Sequence, residues 1–471
     1  MMKRKQKYPV IEGLEIVDLA AEGKALGRVN EQVVFVGGTV PGDVVNVQIN
    51  NKRRRFMEGY VLDFVTRSPR RVEPFCAHFG QCGGCKWQML PYADQLAYKE
   101  RQVADQLRRL GGAIELPAVL PIIGSAQTEF YRNKLEFTFS ARRWVTFAQV
   151  AAGAPLISQG GLGFHIPGMF DKVIDIEKCY LQGGLSNEIR NAVRDFTIDR
   201  PEFVYYDIRA QHGFLRNMIV RNTASQQTMV VVVFAHENVD LRTELLDFLL
   251  AKFPDLTSLC YVINEKLNDS IADQNVICYH GTPYIMEQME DLTFRINPKS
   301  FYQTNSAQAL ELYKVTRDFA ALSADELVYD LYTGAGTIAN FVASGVRKVV
   351  GVEYVEEAIV DARENSRLNN ITNTVFYAGD MKDVLTSDFV AQNGQPDVVI
   401  LDPPRAGIHE DVARVIMLTA PDRIVYVSCN PATQARDLEK FDPLYRVVKI
   451  QPVDMFPHTH HVENVVLLHK R

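Results

Sequence analysis

The stretch VYVSCNPATQARDL (Val425–Leu438) ends an apolar strand pattern in one cysteine, Cys429, set between Ser428 and Asn430. A free cysteine is most often a small buried hydrophobe, so its surroundings must show whether the thiol reacts. Further on, MFPHTHHVENVVLL places Glu463 just before a final apolar strand. A thiol and a carboxylate together suit methylation at C5 of a pyrimidine, a carbon that is barely nucleophilic. A thiolate adding at C6 pushes electron density to C5, which then attacks an electrophilic methyl. The C5 proton must afterwards be removed so that β-elimination frees the enzyme, and that step needs a general base. The same tail allows a second chemistry, because His458, His460, His461 and Glu463 are all metal-ligating types. Three histidines so close on a turn also fit loop residues or substrate contacts.

The groups that would hold a methyl donor stand at other strand ends. VYDLYTGAG closes a strand with a turn containing Gly334 and Gly336, where the backbone can approach a ligand closely. Dinucleotide-binding dehydrogenases use a similar turn, so the glycines alone do not discriminate. Glu353 follows 19 residues after Gly334 and ends the next strand, placed to hold two ribose hydroxyls. Asp380, after the third strand, is placed for an exocyclic amine. In this order the acids describe an adenosine site. The fourth strand ends LDPPR (Leu401–Arg405), where two prolines fix an extended loop and leave carbonyls without internal partners. S-adenosylmethionine enzymes use such a loop to present a planar base, and hydride transfer has no need of one. The motif favours a methyltransferase over a dehydrogenase.

A second cluster lies far from these residues. CAHFGQCGGCKWQ sets Cys76, Cys82 and Cys85 in C-x5-C-x2-C spacing. Structural zinc usually takes two C-x2-C units, and only one is present. A fourth thiolate has to come from a distance, and DIEKCYLQ offers Cys179. Four thiolates complete the shell of a [4Fe-4S] cluster, with zinc left open by the spacing. Cys260 and Cys278 read as ordinary strand cysteines. Seven cysteines, an odd number, argue against a disulfide framework.

The elements that position these residues fall into three regions. Residues 8–67 read as short strands with turns at Gly37-Gly38 and Pro41-Gly42, the pattern of a small β-barrel. The run Lys52-Arg53-Arg54-Arg55, followed by Phe56 and Tyr60, fits a single-stranded nucleic-acid surface or a plain solvated turn. Residues 68–290 open with a proline-containing linker and the cysteine segment. A helix at about 92–112 follows, expected to pack on the catalytic domain, and then a mostly-β, α+β region. Residues 291–471 alternate strand and helix, predicting a doubly wound, parallel α/β sheet whose ligand lies at the carboxyl ends of the strands. There Cys429 ends the fifth strand, beside the fourth-strand DPPR. The chain carries a net charge of −6, but residues 1–75 hold 13 Lys/Arg against 9 Asp/Glu, a local +4 beside −10 elsewhere. Nucleic-acid binding must therefore be local. The longest apolar stretch, MVVVVFA, is too short to span a membrane. The basic start MMKRKQKYPV lacks the apolar run of a secretory signal. The expectation is a cytoplasmic protein with no membrane association and no obligate protein partner.

The motifs SFYQTN, DLYTGAGT, LDPPRAG, SCNPAT and PHTHHVE, over nearly the whole chain, resemble the RNA uracil-C5 methyltransferases of 23S ribosomal RNA or of the tRNA T-loop. The resemblance implies a class I, Rossmann-like methyltransferase domain with Cys429 as nucleophile and Glu463 as base. It implies S-adenosylmethionine contacts at Gln303, Tyr332, Glu353 and Asp402, with Asp380 nearby, and Gly334 in the turn beside them. It also implies an OB-like TRAM barrel that binds RNA and agrees with a [4Fe-4S] cluster on Cys76, Cys82, Cys85 and Cys179. Cytosine-directed relatives carry a cysteine in the fourth-strand motif, where this chain has Arg405 after its prolines, which favours uracil. The expected substrate is a uridine of 23S rRNA. The alternatives are a tRNA T-loop uridine and, in a different class, a non-catalytic iron–sulfur RNA-binding protein.

Overall fold

The structure, a computed structural model, describes residues 8–153 and 160–471. Residues 1–7 of the basic start lie outside them. Five strands, β1 (Val10–Leu19), β2 (Ala25–Val29), β3 (Gln32–Val36), β4 (Val44–Lys52) and β5 (Phe56–Thr66), close a barrel in the order β1-β2-β3-β5-β4. Alternation dictates its inside: Val45, Val47 and Ile49 of β4 are buried, and the residues between them are more exposed. Closure brings β4 and β5 so near that a Cβ on Gly59 would lie 2.6 Å from the Gln48 carbonyl oxygen. Arg53, Arg54 and Arg55 form the exposed turn from β4 to β5.

Helix α1 (Tyr92–Leu110) buries Gln95, Lys99, Val103 and Leu107, a stripe with one residue per turn. Two of the four are polar: Gln95 donates to the nearby Trp87 and Leu90 carbonyls and accepts the distant His458 amide, while Lys99 pairs with Asp454 near the end of the chain. The central sheet comprises β6 (Lys134–Ser140), β7 (Gly161–Ile166), β8 (Met169–Asp175), β9 (Leu215–Asn222), β10 (Thr228–Phe234), β11 (Ser258–Ile263) and β12 (Ile277–Gly281), ordered β12-β11-β10-β9-β6-β7-β8. Between them come the short α2 (Phe147–Ala151), α3 (Ser186–Thr197) and α4 (Val239–Lys252). Val230, Val232 and Phe234 of β10 face the core that holds α3 and α4. Met229, Val231 and Val233 face the opposite way, into a core shared with the catalytic domain. Covered on both faces, β10 reads as an unbroken apolar run rather than an alternating one.

The hairpin β13 (Ile285–Met289) and β14 (Leu292–Ile296) spans residue 290, near the expected domain boundary. After it come α5 (Ser306–Ala320), β15 (Leu327–Leu331), α6 (Thr337–Val342), β16 (Lys348–Glu353), α7 (Glu356–Leu368), β17 (Thr374–Ala378), α8 (Met381–Val384), α9 (Ser387–Asn393), β18 (Val398–Leu401), α10 (Glu410–Thr419), β19 (Arg423–Ser428), α11 (Pro431–Phe441), β20 (Tyr445–Val453) and β21 (Glu463–Lys470). β14 docks on α7, where the Thr293 and Arg295 amides donate to Asn369 and Asn365 side chains at 2.8 Å each. The sheet order is β17-β16-β15-β18-β19-β21-β20. β15 to β19 pair in parallel, whereas β21 runs antiparallel between β19 and β20, so the sheet is not wholly parallel. The cause is the link between β20 and β21, nine residues that turn back at the same edge rather than crossing over with a helix. α1 covers the far face, Val103 and Leu107 packing with Ala435, Leu438 and Phe441 of α11. Among the described residues no helix is long and apolar enough to cross a membrane.

Candidate active site

Strand direction assembles the site. β19 ends at Ser428, so Cys429 lies just past the carboxyl edge of the sheet, and Asn430 caps α11 by accepting the Ala432 amide at 3.2 Å. Because β21 runs the other way, its first residues lie at that same edge: Ser428 pairs with Asn464, and Glu463 begins the strand. β18, on the other side of β19, brings Asp402 and Arg405.

Arg405 joins the group. Its guanidinium hydrogen-bonds the Cys429 thiol, lies near Glu463, and places Nη2 3.3 Å from His461 Nδ1. The carbonyl of Arg405 accepts from Asn430 Nδ2 and Thr433 Oγ1 at 3.1 Å each. Burial pushes the Cys429 thiol up to about 11, Glu463 adds to the rise, and Arg405 opposes it. Glu463 is 5% exposed, and burial, then Asp402, push its carboxyl up to about 8, again against Arg405. Asp402 and Asp330 are pushed up to about 7, chiefly by burial. A carboxyl poised near neutrality in a dry cleft is suited to taking a proton.

The adenosine side is built on the turn after β15. Tyr332 has a φ of +66°, a left-handed conformation that costs a bulky residue roughly 1–3 kcal/mol. Its amide and that of Thr333 both donate to the Val352 carbonyl, at 3.0 and 3.1 Å, which holds the turn. Gly334, at φ +55°, donates its amide to Glu353 Oε2 at 3.1 Å, and Val355 donates to Oε1 at 3.0 Å. Tyr332, Tyr354, Asp380, Met381, Pro404 and Ile408 help to line a cavity of about 640 Å³, a size that suits a nucleoside cofactor. Tyr354, 71% exposed beside Glu353, offers a face on which a planar base can stack. Asp380 caps α8, and the Lys382 amide and ammonium hold its carboxyl below the usual range. Of the expected cofactor contacts, Tyr332 and Asp380 line this cavity, whereas Gln303, Gly334, Glu353 and Asp402 do not. Gln303 enters α5 with its carbonyl accepting from Asn133 Nδ2 at 2.8 Å.

The comparisons with known proteins agree with this geometry. A family model described as tRNA (Uracil-5-)-methyltransferase matches residues 282–471, and a TRAM domain model matches residues 11–62. A Bacteroides thetaiotaomicron protein described as an uncharacterized RNA methyltransferase is 56% identical over 96% of this chain and 100% of its own. A Porphyromonas gingivalis protein with the same description is 57% identical over 97% of this chain and 99% of its own. The chain belongs to the RNA uracil-C5 methyltransferase family. A solved relative, the Pyrococcus abyssi tRNA (uracil-54, C5)-methyltransferase in complex with S-adenosyl-L-homocysteine, superposes with a TM-score of 0.73 at 28% identity. That match covers 97% of this chain and 100% of the other. The protein is thus an S-adenosylmethionine-dependent RNA (uracil-5-)-methyltransferase with a TRAM barrel and an RNA substrate. The reading of a non-catalytic RNA-binding protein is set aside.

Away from the methyl-transfer site, Cys76, Cys82, Cys85 and Cys179 of the methyltransferase line one cavity of about 440 Å³. Burial pushes Cys82 up to about 11 and Cys85 up to about 12, and the neighbouring cysteines add to both. Backbone amides face the sulfurs, that of Gly84 at 3.4 Å from Cys82 Sγ. Among the described residues, however, no three His, Cys, Asp or Glu side chains gather as a site for one metal ion. The histidine-rich tail accordingly presents no such group among the described residues. His458 faces Gln95 and meets Phe75 nearly at right angles, the His460 and His461 rings lie 4.1 Å apart with a 39° tilt, and Glu463 faces Arg405 and Cys429. Burial drops His458 and His460 to about 4 and His461 to about 3, so all three are neutral near pH 7.

Sequence reasoning missed Asp330, Tyr354 and Lys99. Asp330 left a signal, an acid inside the apolar strand LVYDL. Lys99 left one too, a charge on the buried stripe of α1.

Proposed function

We propose that this methyltransferase converts a uridine of 23S rRNA to 5-methyluridine through a covalent adduct between Cys429 and C6. The observation that carries the reading is the gathering of Cys429, Arg405 and Glu463 at one strand edge. The Cys429 thiolate, favoured by Arg405, adds to C6 and shifts an electron pair to C5. S-adenosylmethionine supplies the electrophilic methyl that C5 takes up. Tyr332, Gly334, Glu353 and Asp380 hold that cofactor, with Gln303 and Asp402 as further contacts. Glu463 then removes the C5 proton, the C6–S bond breaks, and its electrons return to sulfur. The target base has to leave its stack first, and the rigid DPPR loop gives it a platform.

Ribosomal RNA is favoured by the barrel combined with the cysteine segment, the features through which the sequence leans toward the 23S enzymes. A tRNA T-loop uridine is the second reading, supported by the substrate of the Pyrococcus relative. Mapping 5-methyluridine in rRNA and tRNA from cells with and without the protein tests both. Loss confined to 23S rRNA is expected, and loss confined to tRNA contradicts it.

The cysteine cavity fits a [4Fe-4S] cluster held by Cys76, Cys82, Cys85 and Cys179. Four thiols around one space, with amides facing sulfur, suit a polynuclear group. Methyl transfer consumes no electron, so the role assigned to it is structural. Anaerobically purified protein is expected to be brown, with Cys179→Ser losing colour as severely as Cys82→Ser. Stoichiometric zinc in a colourless preparation contradicts this.

A further inference from the structure

The link between β20 and β21, residues 454–462, delivers Glu463, and other elements hold it at almost every step. Lys99 of α1 and Asp454 are both 0% exposed, with Nζ 2.6 Å from Asp454 Oδ1. Lys99 also donates to the Phe456 carbonyl at 3.1 Å, and the Tyr92 hydroxyl donates to Asp454 Oδ2 at 2.8 Å. Asn305 reaches the Met455 carbonyl at 3.1 Å, and Tyr131 reaches that of Pro457 at 3.0 Å. His458 is buried in a left-handed conformation, φ +64°, and its amide donates to Gln95 Oε1 at 2.8 Å. Its carbonyl accepts the Lys86 and Trp87 amides, at 2.8 and 3.0 Å, directly after Cys85.

A desolvated ion pair is a poor way to gain stability, because replacing both partners with apolar groups often does as well. Its better-attested use is to enforce one arrangement out of several. Here the pair sits between a helix of the central region and the strap that ends at the base. The nucleophile is placed by β19 and α11; α1 does pack on α11, but through Val103 and Leu107, whereas Lys99 bonds only to the strap.

We propose that Lys99 is a positioning residue for proton abstraction, fixing through Asp454 the strap that aims Glu463. The proposal rests on the reading of Glu463 as the base. It separates the two halves of the reaction: loss of Lys99 spares addition of Cys429 to C6 and slows resolution of the adduct. A misplacement of the base by about 1 Å slows its step on the order of a hundredfold.

The test follows single turnovers of the full-length protein on unmodified target RNA. Adduct is read by denaturing electrophoresis, and resolution by tritium release from [5-³H]uridine. Lys99→Met is expected to form adduct at near the wild-type rate and to accumulate it, with tritium release about ten- to a hundredfold slower. Lys99→Met also leaves Asp454 buried and unpaired, so the double variant Lys99→Met/Asp454→Asn is measured beside it. That variant is expected to melt near wild type and still accumulate adduct. Tyr92→Phe, which keeps the ion pair, gives a milder stall and serves if Lys99→Met does not fold. A well-folded double variant that releases tritium at the wild-type rate overturns the proposal. So does parallel loss of adduct formation and release in Lys99→Met. Glu463→Gln separates the two readings. If it stalls while the double variant does not, only the positioning role falls; if it releases tritium normally, the base assignment falls and this proposal with it.

Discussion

Three acids crowd the carboxyl edge of the catalytic sheet, and burial raises each: Asp330 and Asp402 to about 7, Glu463 to about 8. A carboxyl whose value is raised by folding holds its proton more tightly in the native state. Its contribution to stability is complete below the unfolded value, near 4, and is lost as pH rises through about 7 to 8. The ligand-free enzyme is therefore expected to melt at a lower temperature at pH 9 than at pH 6. On the proposed reading, in which Asp402 contacts S-adenosylmethionine, the cofactor's sulfonium favours the ionised forms of these acids. The rise in melting temperature on adding cofactor should then grow from pH 6 to pH 9. Thermal melts with and without cofactor across that range check both statements, and a cofactor effect that shrinks with pH contradicts them.

At the scale of elements, much of the site was legible because strands end in recognisable residues. The glycines after β15, the prolines after β18 and Cys429 after β19 stand where the sequence places them. The direction of β21 was not legible, since an apolar strand reads the same both ways. Only the short link back from β20 brings Glu463 beside Cys429. Lys99 was hidden for a related reason: its partner Asp454 lies 355 residues away, so α1 shows a stray charge on an otherwise amphipathic face. The tail histidines mislead through proximity in sequence, because His458 turns to Gln95 and Phe75, away from the His460–His461 pair and from Glu463. α1 is anchored by its apolar turns, where Leu107 is 1% exposed against α11. Leu107→Ala opens a cavity expected to cost about 2–5 kcal/mol. Leu110→Ala, at a side chain 50% exposed, serves as the control and should melt close to wild type. Equal melting temperatures for the two variants would show that α1 is not held by this packing.

Across the whole molecule, charge and architecture divide the work. The body is acidic and the first 75 residues are basic, so attraction to RNA is concentrated on the barrel, where Arg53, Arg54 and Arg55 stand exposed. The barrel was readable from its alternation and turns. The shared core was not, because MVVVVFA shows burial on both faces without saying what covers each. It is the catalytic domain that covers one of them, joining the two into a single support for the site. Each phosphate contact to single-stranded RNA adds about 0.7 to the slope of log affinity against log salt. Replacing the three arginines with alanine is expected to flatten that slope by about 2 and to leave S-adenosylmethionine binding unchanged. An unaltered slope in a filter-binding titration would make the run a solvated turn and nothing more.

The central claim is that Cys429 bonds to C6 of the target uridine in every turnover, and ribosomal RNA substituted with 5-fluorouridine tests it most directly. Fluorine replaces the C5 proton and cannot depart as a cation, so Glu463 has nothing to remove and the adduct cannot resolve. Wild-type enzyme with S-adenosylmethionine is expected to give an enzyme–RNA band that survives denaturing electrophoresis, and Cys429→Ala none. A Cys429→Ala enzyme that still forms the band, or still methylates normal RNA at near the wild-type rate, would contradict the account.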